Sequence, residues 1–219
     1  MVKQGEGLQL EFKRKAADPV KIMREVVAFA NRRGGYLLIG VDDNGAITGL
    51  KHASEDAWVV NQTLEKYCRP AVSYTLETIK LTEKRSVLVY KIAESATKPV
   101  YLLYNLRRKI GRAYIRVADK SMQASREARK VLKARTTEKD MHLQYGQNEE
   151  AIMRCFLNNS RLGLKQFAEL SGLGAEATSQ AVVNLTLANV LELHPGEESD
   201  IYTMKETEAL PRKNRQGWR

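Results

Sequence analysis

The stretch YLLIGVDDNG, at residues 36–45, carries the clearest strand and turn signals in the sequence. Its first six residues form a short, almost entirely apolar run, which is typical of a buried central strand. The Asp-Asp-Asn-Gly that follows favours a tight turn, so residues 46–50 are predicted to return as the hairpin partner of this strand. The sequence therefore predicts a β-sheet with residues 36–41 near its centre.

An amphipathic helix is predicted immediately before this strand. Asp18 followed by Pro19 is a helix-start signal, apolar residues then recur on one face, and the pair Gly34-Gly35 ends the helix and allows close packing. Residues 8–13 alternate between apolar and polar and predict a half-buried strand. Farther along, the patterns predict a helix at 54–68, strands at 72–79, 86–92 and 112–117, and a helix at 123–135.

A second module is predicted after a polar stretch at residues 136–147. Three helical patterns, at 148–158, 163–171 and 175–188, precede a hairpin formed by 190–193 and 201–204. Three helices and a hairpin are typical of a winged helix. The predicted fold class is α+β: a mixed sheet with packed helices in residues 1–140, a small winged-helix domain in 147–206, and a basic tail in 207–219.

The charge is distributed unevenly along the chain. The 36 Lys and Arg residues exceed the 26 Asp and Glu residues, which gives a net charge of +10. Residues 1–146 carry 28 basic and 16 acidic residues (+12), residues 147–208 carry 4 and 10 (−6), and the last eleven residues carry four basic residues and no acidic ones. A polyanionic partner is therefore expected for the first two-thirds of the chain.

Several classes of protein are disfavoured by the sequence. Cys68 and Cys155 are far apart and do not indicate a disulfide scaffold, and the three histidines lack the spacing of a zinc site. The glycines match neither of the common nucleotide-binding motifs, so no nucleotide cofactor is expected. The first residues lack the apolar core of a signal peptide, and no apolar run is long enough to span a bilayer, so a cytoplasmic protein without a membrane partner is expected.

Five motifs in a fixed order resemble the Schlafen family, and specifically its AlbA-type domain. They lie at residues 10–13, 28–35, 38–49, 98–101 and 114–117, and the likeness covers about residues 6–125. Bacterial members are mostly described as DNA-binding or transcription-linked proteins, and the resemblance implies such a role here. Vertebrate Schlafen cores have two lobes of this domain around a basic groove, so the resemblance also implies that this single lobe forms a homodimer.

Vertebrate Schlafen cores are also endoribonucleases that use three carboxylates. The matching positions here are Glu6, Glu11 and Asp43, which the resemblance implies as catalytic residues and ligands of Mg²⁺ or Mn²⁺. Lys13 lies two residues after Glu11, on the same strand face, where it could hold a phosphate. The alternative is that these are ordinary acidic residues of strand ends and turns. Glu6 and Glu11 would face opposite sides of a regular strand unless the neighbouring glycines bend it.

Clusters of basic residues predict a nucleic-acid-binding surface. On residues 112–117, Tyr114 and Arg116 share a strand face that suits base stacking and phosphate contact, and the helix at 123–135 carries a basic stripe. Surface charge that is merely solvated is the alternative. The predicted contact residues are Lys13, Arg14, Lys15, Arg32, Arg33, Arg107, Arg108, Lys109, Arg112, Tyr114, Arg116, Arg126, Arg129, Lys130 and Lys133.

The third helix of the second module has only one charged residue, Glu176. Thr178, Ser179 and Gln180 could contact bases, but the module is acidic and would repel a duplex, which favours a protein contact instead.

Three functions therefore follow from the sequence. The first is regulatory or sequence-unspecific binding of DNA or RNA, the second is a metal-dependent endonuclease, and the third is an assembly subunit that docks a protein through residues 147–208.

Overall fold

The computed structural model describes residues 1–137 and 145–205, so the predicted tail at 207–219 lies outside the described residues. The described residues form two compact units: 1–137 with 195–200, and 145–194 with 201–205. The first unit contains β1 (Leu10–Lys13), α1 (Pro19–Asn31), β2 (Gly35–Ile39), α2 (Ala53–Tyr67), β3 (Cys68–Arg69), β4 (Tyr74–Thr82), β5 (Arg85–Ile92), β6 (Tyr101–Asn105), β7 (Ile110–Arg112), β8 (Tyr114–Val117), β9 (Lys120–Gln123) and α3 (Arg126–Thr137).

A four-stranded mixed sheet lies at the centre of the first unit. Its order is β1-β2-β5-β4, with β1 parallel to β2 and the other pairs antiparallel. The helix α1 connects the two parallel strands, as such a pair requires. A three-stranded sheet, β3-β6-β7, and the hairpin β8-β9 complete the unit. The predicted α+β class is confirmed.

The helix α1 begins and ends where the sequence predicts. The Asp18 side chain accepts a hydrogen bond from the Lys21 amide, and Pro19 occupies the first helical position. At the other end, Gly34 has φ +75 and donates to the Phe29 carbonyl, while a Cβ on Gly35 would lie 2.5 Å from the Phe29 ring. The glycine pair therefore ends the helix and allows close packing, as predicted.

Apolar residues cover both faces of the sheet. On the helical side, Val26 and Phe29 of α1 and Leu64 of α2 join the main cluster of buried residues. On the other side, Phe12 and Leu38 belong to a smaller cluster. The prediction that β1 is half-buried is therefore wrong, because Leu10, Glu11 and Phe12 are all buried.

The predicted hairpin between residues 36–41 and 46–50 is only partly formed. The turn is present, since Gly45 donates to the Asp42 carbonyl at 2.8 Å, and Val41 forms a bridge with Ile47, but the returning segment bonds to residues 40–42 and not to β2 itself. The strand β2 already pairs with β1 on one side and β5 on the other, so its backbone has no edge left for a third strand. The strands β3, β6, β7 and β9 were not predicted as separate elements.

The second unit has its own apolar core, in which Ile152, Phe167 and Tyr202 are buried. The predicted three helices and hairpin are present, and the added strand β10 pairs with β12. The winged-helix class itself stays a prediction. The elements are α4 (Gln147–Arg154), β10 (Arg161–Gly163), α5 (Leu164–Ser171), α6 (Ala175–Leu187), β11 (Leu191–His194) and β12 (Ile201–Met204).

Within residues 1–137 and 145–205, none of the helices has both the length and the apolar character needed to cross a bilayer.

Candidate functional site

A buried guanidinium joins the N-terminal segment, α1 and β8. The side chain of Arg116, on β8, has no exposed surface. Its Nε donates to the Gly7 carbonyl at 2.9 Å, its Nη2 to Glu11 Oε2 at 2.5 Å, and its Nη1 to Glu25 Oε2 at 2.5 Å. The guanidinium also lies 5.2 Å from the centre of the Phe29 ring. Two carboxylates and one carbonyl thus satisfy most of its donors in the interior.

The two carboxylates have further partners. Glu25 accepts a hydrogen bond from the Ser121 hydroxyl, and Lys13 Nζ donates to Glu11 and to the Phe12 carbonyl. Burial raises the pKa of Glu25, while the Ser121 hydrogen bond lowers it and the charge of Glu11 raises it further. The cluster is therefore an internal ion network in which Lys13 is only partly exposed.

This network corrects the prediction that Tyr114 and Arg116 contact nucleic acid. The two residues do share a strand face, but that face points inward, and they are 7% and 2% exposed. A sequence signal for this existed in α1. Glu25 lies on the helix face that carries Ile22 and Phe29, and a carboxylate on a core-facing stripe needs a buried partner.

The carboxylates predicted to bind a metal ion are placed as follows. Glu6 accepts a hydrogen bond from the Phe12 amide at 2.7 Å, Glu11 is engaged by Arg116 and Lys13, and Asp43 is exposed in the turn. In the described part of the chain, no three His, Cys, Asp or Glu residues are grouped in a way that could hold a metal ion. As placed, these side chains do not fit a metal site.

The three carboxylates nevertheless affect one another. Burial is the largest cause of the raised pKa of Glu6, the hydrogen bond from Phe12 opposes it, and the charges of Glu11 and Asp43 raise it further. Glu6 therefore lies within the electrostatic range of both other carboxylates. The metal-ligand and catalytic roles of these residues stay predictions.

Asn31, the last residue of α1, fixes two later segments of the chain. Its amide nitrogen donates to the carbonyls of Val100 and Tyr114, both at 2.9 Å, and its amide oxygen accepts from the Val100 amide at 2.7 Å. Asn31 is 2% exposed and Val100 is fully buried. The motifs at 28–31, 98–101 and 114–117 are thus joined by one side chain.

The turn between β6 and β7 carries an exposed basic cluster. Asn105 Oδ1 accepts a hydrogen bond from the Arg108 amide at 2.9 Å, which holds the turn, and the Arg112 guanidinium lies 5.4 Å from the Tyr104 ring. Tyr104 is 62% exposed. Four of the predicted contact residues are exposed on this turn and the strand that follows it: Arg107, Arg108, Lys109 and Arg112.

The other predicted basic residues lie in two further places. Arg14, Lys15, Arg32 and Arg33 are exposed beyond β1 and α1, where Arg14 pairs with Asp42 at 3.4 Å. On α3, Arg126 and Lys133 are exposed, whereas Arg129 and Lys130 are half-buried.

The sequence analysis did not predict Lys66 and Arg69, which are exposed at the end of α2 and in β3. Their three-residue spacing at a helix end was the available signal.

In the second unit, two of the three residues predicted to contact bases are buried. Thr178 and Ser179 of α6 are fully buried, and the Thr178 hydroxyl donates to the Gly174 carbonyl at 3.1 Å. Gln180 is exposed and donates to Asn184 at 2.9 Å. Thr178 and Ser179 therefore pack into their own unit and are not available to read bases, whereas Gln180 faces the solvent.

The first unit is an α+β domain built on a mixed sheet, with a basic turn and an internal ion network. The family model for Schlafen, AlbA_2 matches residues 6–125, and the chain belongs to this family. The match ends before α3.

The solved structures that are similar to this chain include two bacterial proteins. The DIP2311 protein from Corynebacterium diphtheriae is 18% identical, with a TM-score of 0.44 over 68% of this chain and 33% of that one. The N-terminal domain of a RecG-related protein from Nitrosomonas europaea is 24% identical, with a TM-score of 0.38 over 65% of this chain and 90% of that one. This chain thus spans about a third of the Corynebacterium protein. No curated protein matches it.

Proposed function

We propose that this chain binds nucleic acid through the basic surface of its first unit, in a regulatory or sequence-unspecific way. The observation that carries the proposal is the exposed turn between β6 and β7, where Arg107, Arg108, Lys109 and Arg112 project from a segment without acidic residues. The net charge of +12 on residues 1–146 supports the same function.

The chemistry of this surface suits phosphates better than base edges. Arginine and lysine side chains on an exposed turn neutralise phosphate charge and release counterions, which gives affinity with little sequence preference. Tyr104, held beside Arg112, adds an aromatic face on which a base could stack. Binding is therefore expected to weaken steeply as the salt concentration rises.

Reversing the charge at Arg107 and Arg108 tests this proposal. The variant Arg107→Glu/Arg108→Glu is expected to bind DNA and RNA at least about tenfold more weakly. The slope of log affinity against log salt concentration is expected to become shallower by roughly two, the value for two lost phosphate contacts. Fluorescence anisotropy at several salt concentrations measures both quantities. The matched control, Lys84→Glu/Lys91→Glu, reverses two exposed charges of the β4–β5 hairpin and is expected to retain most of the affinity. Equal losses in the two variants would contradict a site at this turn.

The alternative is an endonuclease that uses Glu6, Glu11 and Asp43. The observation that favours it is the hydrogen bond from the Phe12 amide to Glu6 at 2.7 Å, which holds this carboxylate beside β1 and Glu11. The charges of Glu11 and Asp43 also raise the pKa of Glu6. A metal ion there would compete with Arg116 and Lys13 for Glu11. Substituting Glu11 would also remove one of the two carboxylates that pair with the buried Arg116, so loss of activity in that variant would not identify a catalytic group.

Asp43→Asn is the sharper test of the endonuclease, because Asp43 is exposed and its substitution leaves the ion network intact. If the chain is a nuclease, cleavage of transfer RNA with Mg²⁺ or Mn²⁺ is expected to fall at least about a hundredfold in this variant, while RNA binding is retained. The neighbouring change Asn44→Ala is the control. The absence of metal-dependent cleavage by the unmodified protein, beside intact binding, would rule the alternative out.

For the second unit we propose contact with a protein partner. Two observations support this role: residues 147–208 carry a net charge of −6, and Thr178 and Ser179 are buried within the unit. Leu157 and Leu170 are 80% and 57% exposed and offer apolar contact area. The homodimer implied by the two-lobed vertebrate relatives likewise remains a proposal.

A further inference from the structure

A cavity of about 710 Å³ opens between the end of α2 and the β6–β7 hairpin, in the first unit. Its walls are mostly apolar and come from Tyr101, Leu103, Leu106 and Ile110. Its size falls within the usual range for pockets that enclose small molecules. The ring of Tyr101 and the aliphatic side chains form a surface of the kind that packs against the flat face of an aromatic ligand.

Three basic side chains also line this cavity: Lys66, Arg69 and Lys109. They come from α2, β3 and the turn before β7, so three separate segments bring positive charge to one opening. The Arg69 guanidinium is held in place, because its Nη1 donates to the carbonyls of Glu65 at 2.6 Å and Cys68 at 2.7 Å. The fold thus fixes the position of the Arg69 guanidinium at the cavity.

These cations have no acidic counterpart at the cavity. Among the lining residues that the structure describes there is no aspartate or glutamate. Across residues 1–137 and 145–205, none of the three cations forms an ion pair with a carboxylate. An apolar hollow with unpaired positive charge around it is complementary to a ligand that has a flat apolar part and a negative part.

We infer that this cavity receives one unpaired nucleotide of a single-stranded nucleic acid. The base enters the hollow against Tyr101, and Lys66, Arg69 and Lys109 contact the adjoining phosphates. A base inside an intact duplex is stacked and paired, so it cannot enter without leaving the helix, which disfavours duplexes at this site. The inference rests on the proposed function. It adds the preferred substrate class, which is single-stranded nucleic acid, and the place where a base is held.

Tyr101→Ala in the full chain tests the inference through its effect on strand preference. Its affinity for a single-stranded RNA of about 12 nucleotides is expected to fall about 5- to 100-fold, the range for loss of one base-stacking ring, with duplex affinity unchanged. Tyr101→Phe keeps the ring and is expected to restore binding. Trp58→Ala removes an exposed aromatic on α2 that does not line the cavity, and is expected to have no such effect.

A second measurement is independent of the stability of the variants. Photo-crosslinking of the unmodified protein to 4-thiouridine RNA is expected to label peptides that contain residues 66–69 or 101–103, on the cavity side of the turn. Labelling confined to the turn at residues 107–112, or equal losses of single-strand and duplex binding in Tyr101→Ala, would overturn the inference and leave the proposed function standing. Displacement of the strand by equimolar free nucleotide would show a mononucleotide site and would also overturn it. Failure of the unmodified protein to bind any nucleic acid would refute the proposed function itself.

Discussion

Replacing Arg116 by alanine is expected to lower the free energy of unfolding by about 3–5 kcal/mol, because it removes the guanidinium that pairs with two buried carboxylates. The Arg116 side chain has no exposed surface, and the side chains of Glu11 and Glu25 are 6% and 17% exposed. The Gly7 carbonyl would lose its donor as well. Equilibrium urea unfolding followed by circular dichroism measures the loss, and hydrogen exchange in β2 assigns it to the first unit.

Two controls separate the lost charge pairing from the lost side-chain volume. Arg112→Ala removes an exposed arginine from the preceding strand and is expected to cost less than about 1 kcal/mol. The triple variant Arg116→Met/Glu11→Leu/Glu25→Leu replaces the network by apolar side chains and is expected to recover much of the stability. A loss below about 1 kcal/mol in Arg116→Ala would mean that the buried carboxylates are not held by this arginine.

Asn31→Ala is expected to lower the free energy of unfolding by about 3 kcal/mol or more. It removes the partners of one amide and two carbonyls at Val100 and Tyr114, and each buried polar group left unpaired costs about 1–3 kcal/mol. The same urea titration measures the effect. Asn31→Asp keeps the oxygen that accepts from Val100 but turns a second acceptor oxygen toward the two carbonyls and buries a negative charge, so a loss at least as large as in Asn31→Ala is expected.

The control for this prediction is Asn105→Ala, which also removes an asparagine that bonds a backbone amide. That bond, to Arg108, lies in an exposed turn where water can replace the side chain, so a loss below about 1 kcal/mol is expected. Similar losses at positions 31 and 105 would show that the buried cross-link contributes no more than an ordinary turn.

The parts of the fold that depend on neighbouring residues were predicted well from the sequence. The bounds of α1 follow from a local cap, a proline and a glycine pair, and the structure places the helix at Pro19–Asn31 as those signals require. The helices of the second unit follow from apolar periodicity in the same way, to within a few residues at their ends.

The parts that depend on distant pairing were predicted less well. The turn at residues 42–45 was correct, but the partners of β2 are β1 and β5, and the pairing of Gly35 with Ile92 spans 57 positions of the chain. A strong turn signal indicates that the chain reverses direction. It does not indicate which strand the returning segment pairs with. The short strands β3 and β9 likewise exist only because another strand lies beside them.

For the candidate site, the sequence indicated where basic residues occur but not which of them face the solvent. Arg107 and Arg108 are exposed as predicted, whereas Arg116, in a similarly basic segment, is buried. The difference comes from carboxylates about a hundred residues earlier in the chain, at Glu11 and Glu25, and no local pattern around Arg116 reveals them. The cations at Lys66 and Arg69 were missed because their relation to the β6–β7 hairpin is a product of folding.

The separations within the Arg116 network also bear on the order of folding. Its bonds to Gly7, Glu11 and Glu25 span 109, 105 and 91 residues. At usual rates of synthesis, the two carboxylates leave the ribosome roughly 5–20 s before the arginine that pairs with them. Contacts that close such long loops form late on the folding path, so we expect substitutions of Arg116 to accelerate unfolding far more than they slow folding. The first unit would then unfold slowly because of an ion network that forms only after most of its chain has been synthesised.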